Sequence, residues 1–233
     1  MIVVNSPSNP TGAVFDRDTL VRIAEFACRR DLTVVSDEVY ESIVFDGCRH
    51  VSIASLGGDI AARTVTVNGV SKTYAMTGWR IGYAAMPAGL AERVTRLQSL
   101  STSGPSAVSQ RAALAALTGD QGCAARMAAE YQRRRDLVVA RINSIPGLSC
   151  RPPMGAFYAF VSIAGILGTA PCGVPIDSSR AFAEFLLAQA RVRLHPGADF
   201  GSDGHVRISF ATSLESLEEG LERISSLLAG GHA

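Results

Sequence analysis

Three short runs in the sequence share one design. Ile2 to Val4, Leu32 to Val35 and Thr64 to Val67 are apolar, rich in β-branched residues and of strand length. Each breaks off into a polar or Gly/Pro-rich turn: NSPSNPTG, SDEVY and NGVSK respectively. Between the first two, Leu20, Ile23, Ala24 and Ala27 recur at helical spacing, which predicts a helix over 16–30 with Asp16 as its N-cap. Strand, helix, strand in that order is the unit of a parallel sheet, because parallel neighbours need a crossover between them. In open sheets of this kind ligands bind outside the carboxyl ends of the strands. Asn9, Asp37 and Lys72 each come just after such an end, so three distant segments are expected to gather on one rim.

The fold class is therefore α/β, a mostly parallel sheet with flanking helices. Residues 81–86 (IGYAAM) read as a further strand, and 88–100, 106–117 and 121–145 as helices. Pro146-Gly147 ends the last of these, and the expected division is into residues 1–145 and 146–233. The second part changes style. LSCR, AFYAFVSI, VRLH and HVRISFA read as strands, and 178–190 as a helix. A final helix opens with a capping box of Thr212 and Glu215, its apolar face formed by Leu214, Leu217, Leu221, Ile224 and Leu228. This is a smaller C-terminal α+β domain.

Composition narrows the function classes. Over 233 residues the formal net charge is +1, which gives no electrostatic footprint for nucleic acid or an anionic membrane. The five cysteines are scattered, with no C-x-x-C and no Cys/His pair at zinc spacing, so neither a disulfide framework nor a metal site is indicated. A cytoplasmic setting is expected. The opening MIVVNSPSNP has neither the basic nor the long apolar region of a signal peptide.

Lys72 is the only lysine among 22 basic residues. Arginine is permanently charged and a poor nucleophile, whereas lysine can lose its proton, attack a carbonyl and form a Schiff base. If the carbonyl belonged to pyridoxal 5'-phosphate, that group would need more than the amine. Arg80, eight residues on, offers a planar fork for a phosphate. Asp37 can keep a pyridine nitrogen protonated, the condition for its use as an electron sink. Tyr40 and the amide of Asn9 are candidates for the ring's phenolic oxygen. Each has a bland alternative: NPTG is a turn, Asp37 a cap, Tyr40 a core ring, Arg80 the partner of any surface acid.

The motifs in order, NSPSNPTG, SDEVY and GVSKTYAMTGWRIG, then MGAFY, PGADFG and HVRISFATS, resemble the class I/II aminotransferases, the fold-type I enzymes that use pyridoxal phosphate, and their bacterial aspartate/prephenate branch. The resemblance runs from Ile2 to about Leu228. It implies that residues 1–145 are the C-terminal part of the family's cofactor-binding large domain and 146–233 its small domain. It also implies that Lys72 is catalytic, carrying the cofactor and then moving the substrate's proton. Asp37 would pair with the pyridine nitrogen, Tyr40 and Asn9 would contact the ring oxygen, and Arg80 would hold the phosphate. Arg207 would bind the substrate α-carboxylate with help from Asn9. Gly69 stands where many relatives have a phosphate-binding serine. Relatives carry a long segment ahead of the NPTG motif, so this chain is expected to be incomplete alone, with several sheet strands missing. The implied partners are an amino acid, a 2-oxo acid and a second copy of the chain. A β-lyase or decarboxylase on the same fold, or a catalytically silent assembly partner, are the alternatives.

Overall fold

The structure is a computed structural model and describes residues 1–230. It separates into two compact units. Among the described residues the first comprises 1–8, 13–128 and 154–156, the second 9–12, 129–153 and 157–230.

Unit 1 is built on a four-stranded sheet in the order β1-β2-β3-β4. Strands β1 (Ile2–Asn5), β2 (Val34–Asp37) and β3 (Thr64–Gly69) run parallel, and β4 (Gly82–Ala85) is antiparallel to β3. Helix α1 (Arg17–Arg29) makes the first crossover, and the Asp16 carboxylate caps it by accepting from the Thr19 N–H at 2.7 Å. The short helix α2 (Gly58–Ala61) precedes β3. Leu20, Ala24 and Ala27 of α1 seal against Val4, Val34, Ile53 and Ile60, the core that the helical spacing anticipated. The β3–β4 connection contains the single-turn helix α3 (Val70–Thr73). Helices α4 (Ala88–Ser101) and α5 (Ala107–Thr118) follow. No residue of α4 or β4 is buried, and Leu97 and Leu100 are 68% and 78% exposed.

Helix α6 (Gly122–Asn143) runs through the division at 128/129. In unit 2, β5 (Tyr158–Ser162), β6 (His195–Pro196) and β7 (His205–Ser209) form an antiparallel sheet in the order β5-β7-β6. Helices α7 (Ser179–Ala190) and α8 (Leu214–Gly230) pack on one another. Leu217, Leu221, Ile224 and Leu228 of α8 are buried, as their periodicity requires.

Three local expectations need correction. LSCR is not a strand: only Ser149 bridges to Ser162, and the Asn143 side chain takes both the N–H and the carbonyl of Cys150 that a ladder would have used. VRLH contributes only its last residue to β6. The cap of α8 is Ser213, whose hydroxyl accepts from the Ser216 N–H at 3.2 Å, one residue later than Thr212.

Candidate active site

In unit 1 the register pairs Asn5 with Asp37 and Asp37 with Val67, so the carboxyl ends of the three parallel strands stand side by side. Gly69 at the end of β3 pairs with Gly82 at the start of β4, so the loop carrying Lys72 and Arg80 leaves and returns at that same end. Backbone closeness shapes this turn. A Cβ on Gly69 would stand 3.0 Å from the Ile81 carbonyl oxygen, which disfavours the larger serine. Lys72 lies on α3 with Nζ 5.8 Å from the centroid of the buried Tyr40 ring, at the outer edge of a cation–π contact. Arg80 has left-handed backbone (φ 56°) and donates one guanidinium bond to the Thr77 carbonyl at 3.0 Å; its side chain is otherwise exposed.

Two consecutive acids on β2 and just beyond it meet opposite environments, as side-chain alternation along a strand dictates. Glu38 is buried. It accepts from the Ser36 hydroxyl at 2.8 Å and the Ser52 hydroxyl at 2.7 Å, and its other oxygen meets His50 Nε2 at 3.1 Å. Burial pushes its pKa up, but the bonds from His50, Ser52 and Ser36 outweigh it and hold the carboxyl below its usual range. Glu41 joins this group, with ligand-type atoms of Glu38, Glu41 and His50 all within 4.8 Å of one another. Both Glu38 oxygens already have protein donors, so the cluster is an internal network.

Asp37 is different. Its carboxylate accepts from the Asn5 side-chain amide at 3.1 Å and from the Val39 N–H at 3.3 Å. No cation pairs with it among the described residues. A carboxylate offers about four acceptor positions and only two are used, both by neutral donors. That leaves it able to receive a cationic N–H.

In unit 2, Arg207 lies on the central strand β7, opposite Phe160 on one side and His195 on the other. Its guanidinium carbon is 4.4 Å from the Tyr158 ring centroid and 4.9 Å from that of Phe200. One terminal nitrogen donates to the Asn9 side-chain oxygen at 2.7 Å, and Nε is buried with no hydrogen-bond partner. A buried unpaired donor is costly unless a ligand satisfies it. Two ring faces and an amide oxygen thus fix the fork while its charge stays uncompensated. The pKa of His195 is lowered, first by burial and then by repulsion from Arg207 and Arg193.

Of the residues singled out in the sequence, Asp37, Tyr40, Lys72 and Arg80 lie in unit 1, and Asn9 and Arg207 in unit 2. Lys72 with Tyr40, and Asn9 with Arg207, are brought into contact. Three partners escaped the sequence reading: Asn5, Tyr158 and Phe200. All lie inside quoted motifs, NSPSNPTG, MGAFY and PGADFG, but only tertiary placement reveals what they touch.

The sequence model of the family described as aminotransferase class I and II matches residues 1–224. The chain belongs to that family. It is 42% identical over 223 residues to the aspartate aminotransferase of Geobacillus stearothermophilus, a match covering 96% of this chain and 56% of the relative. To the aspartate/prephenate aminotransferase of Nitrosomonas europaea it is 41% identical over 232 residues, covering 98% of this chain and 58% of the relative. The crystal structure of the aspartate aminotransferase from Rhizobium meliloti superimposes with a TM-score of 0.94 at 45% identity, over 97% of this chain and 57% of that one. The chain thus spans a little over half the length of the relatives it matches. Its fold is part of the fold-type I aminotransferase architecture.

Proposed function

We propose that the protein to which this chain belongs is an aminotransferase that uses pyridoxal 5'-phosphate to move an amino group between an amino acid and a 2-oxo acid. The observation that carries this reading is the Asp37 carboxylate, unpaired by any cation among the described residues, on the same strand-end rim as the chain's only lysine. The residues of unit 1 fit the group. Lys72 would supply the amine, Asp37 an anionic acceptor for a protonated ring nitrogen, Tyr40 a polar contact to the ring oxygen, and Arg80 a cationic fork for the phosphate. When bound, the cofactor supplies an electron sink for the pair left when Cα loses its proton.

The rest of the reaction falls to the chain itself. The Lys72 amine would serve as the base that takes the proton from the substrate Cα and hands it back on the far side of the transfer. Asp37 would face the ring nitrogen as its anionic partner. Arg207, packed against the Tyr158 and Phe200 rings, would bind the α-carboxylate through a bidentate pair, with Asn9 steadying the fork. The names of the relatives favour aspartate, with prephenate next. A homodimer and a cytoplasmic location belong to the same reading, on family membership. No helix among the described residues is long and apolar enough to cross a membrane.

The test is amino transfer from ¹⁵N-aspartate to 2-oxoglutarate in the presence of pyridoxal phosphate, with Lys72→Ala as control. Labelled glutamate from the wild type alone supports the reading. Release of carbon dioxide or free ammonia from the amino acid, without labelled glutamate, would replace it with a decarboxylase or lyase.

A further inference from the structure

We propose that Asn5 is a positioning residue: its side-chain amide aims the Asp37 carboxylate without cancelling its charge. The inference rests on the cofactor reading above. Asn5 and Asp37 are partners on adjacent parallel strands, where side chains on one face stand about 5 Å apart. Two short side chains can therefore meet directly, and Asn5 Nδ2 lies 3.1 Å from one Asp37 oxygen. The Val39 N–H, two residues on, takes the other oxygen at 3.3 Å. Each oxygen is thus tied by one neutral donor. A rotation of the carboxyl group breaks at least one of these bonds.

The choice of an amide is the informative part. Next door, Glu38 has two hydroxyl donors and an imidazole, all within 3.1 Å, and no exposed face. It is a compensated carboxylate. Asp37 is only half-buried, keeps open acceptor positions and faces no cation among the described residues. A lysine or arginine at position 5 would hold Asp37 more tightly, and would also neutralise it. Asparagine orients the group and leaves the full negative charge to attract a protonated ring nitrogen.

The test compares four proteins: wild type, Asn5→Ala, Asn5→Asp, and the exchange Asn5→Asp/Asp37→Asn. Each is titrated with pyridoxal phosphate and followed by the visible absorbance of the lysine-bound cofactor. Far-ultraviolet circular dichroism and thermal melting report folding. The expected result is a roughly tenfold weaker cofactor affinity for Asn5→Ala, with a shifted balance between the yellow and near-ultraviolet forms. The exchange variant restores the amide–carboxylate bond and so the melting temperature, but moves the charge to the neighbouring strand. Its affinity and spectrum should stay impaired. Wild-type affinity and spectrum in a folded Asn5→Ala, or full recovery of both in the exchange variant, would overturn the role given to Asn5. If Asn5→Ala alone fails to fold, the shape-matched Asn5→Asp and the exchange variant still decide between these results. Absence of any visible band in the wild type would instead remove the cofactor reading, and the inference with it.

Discussion

Asp37 in unit 1 and Arg207 in unit 2 are both charged groups with no ion-pair partner among the described residues, and each is held by an asparagine. The two asparagines are four residues apart in NSPSNPTG. Asn5 turns its amide nitrogen to the carboxylate, and Asn9 turns its oxygen to the guanidinium. One side-chain type can serve both signs because it carries a donor and an acceptor on a short stem. The second restraint differs. Asp37 gains a backbone N–H, while Arg207 is walled by two aromatic rings. The lesson is that a charge can be oriented without being neutralised, and so remains available to a ligand. Salt bridges elsewhere, such as Arg180 with Asp199 at 2.6 Å, join two charges of this chain to each other.

The comparison can be broken in several places. The largest expected effect concerns the counter-example, Glu38. Glu38→Ala strands His50 and two serines around a buried gap and should cost on the order of 3 kcal/mol of unfolding free energy, read from denaturant melts. The depressed pKa has a sign. Glu38 contributes stability that is present above its unfolded pKa, roughly 4.3, and is lost as pH falls through its lower folded value. Glu38→Gln should flatten the acid limb of a stability–pH curve relative to wild type. An unchanged acid limb would mean that Glu38 is not the compensated carboxylate described.

Arg207→Ala comes next, with an expected hundredfold or so loss in affinity for a 2-oxo acid, about 2.7 kcal/mol, and little change in cofactor capture. Loss of cofactor capture instead would erase the division of labour between the units. Asn9→Asp sharpens the point. It places a negative charge 2.7 Å from the guanidinium in place of a neutral oxygen, and should weaken oxo-acid binding about tenfold, more than Asn9→Ala does. The smallest effect is expected of Phe200→Leu, which removes one ring wall and should cost about 0.5–1 kcal/mol, a few-fold in the same titration.

Much of this arrangement was legible in the sequence, for local reasons. The β-branched runs and the spacing of Leu20, Ala24 and Ala27 fix strands and crossover, since periodicity records which face is buried. Asp16 announces its helix because capping needs only a neighbour three residues away. The solitary Lys72 stands out by residue type alone, and the structure sets it on the connection between β3 and β4. What failed was whatever depends on a partner distant in sequence. LSCR has strand composition, yet the Asn143 amide claims its backbone. Asn5 reads as one residue of a turn-forming motif until β1 lies beside β2. Tyr158 and Phe200 are simply the aromatics of MGAFY and PGADFG until Arg207 lies against both.

The central claim concerns one amine. The direct measurement is borohydride reduction of the chain incubated with pyridoxal phosphate, followed by peptide mass mapping. The account predicts a single phosphopyridoxyl group, on Lys72, and none on Lys72→Arg, which keeps the charge but cannot capture the aldehyde. Label at the chain's amino terminus alone, or no label at all, would contradict it.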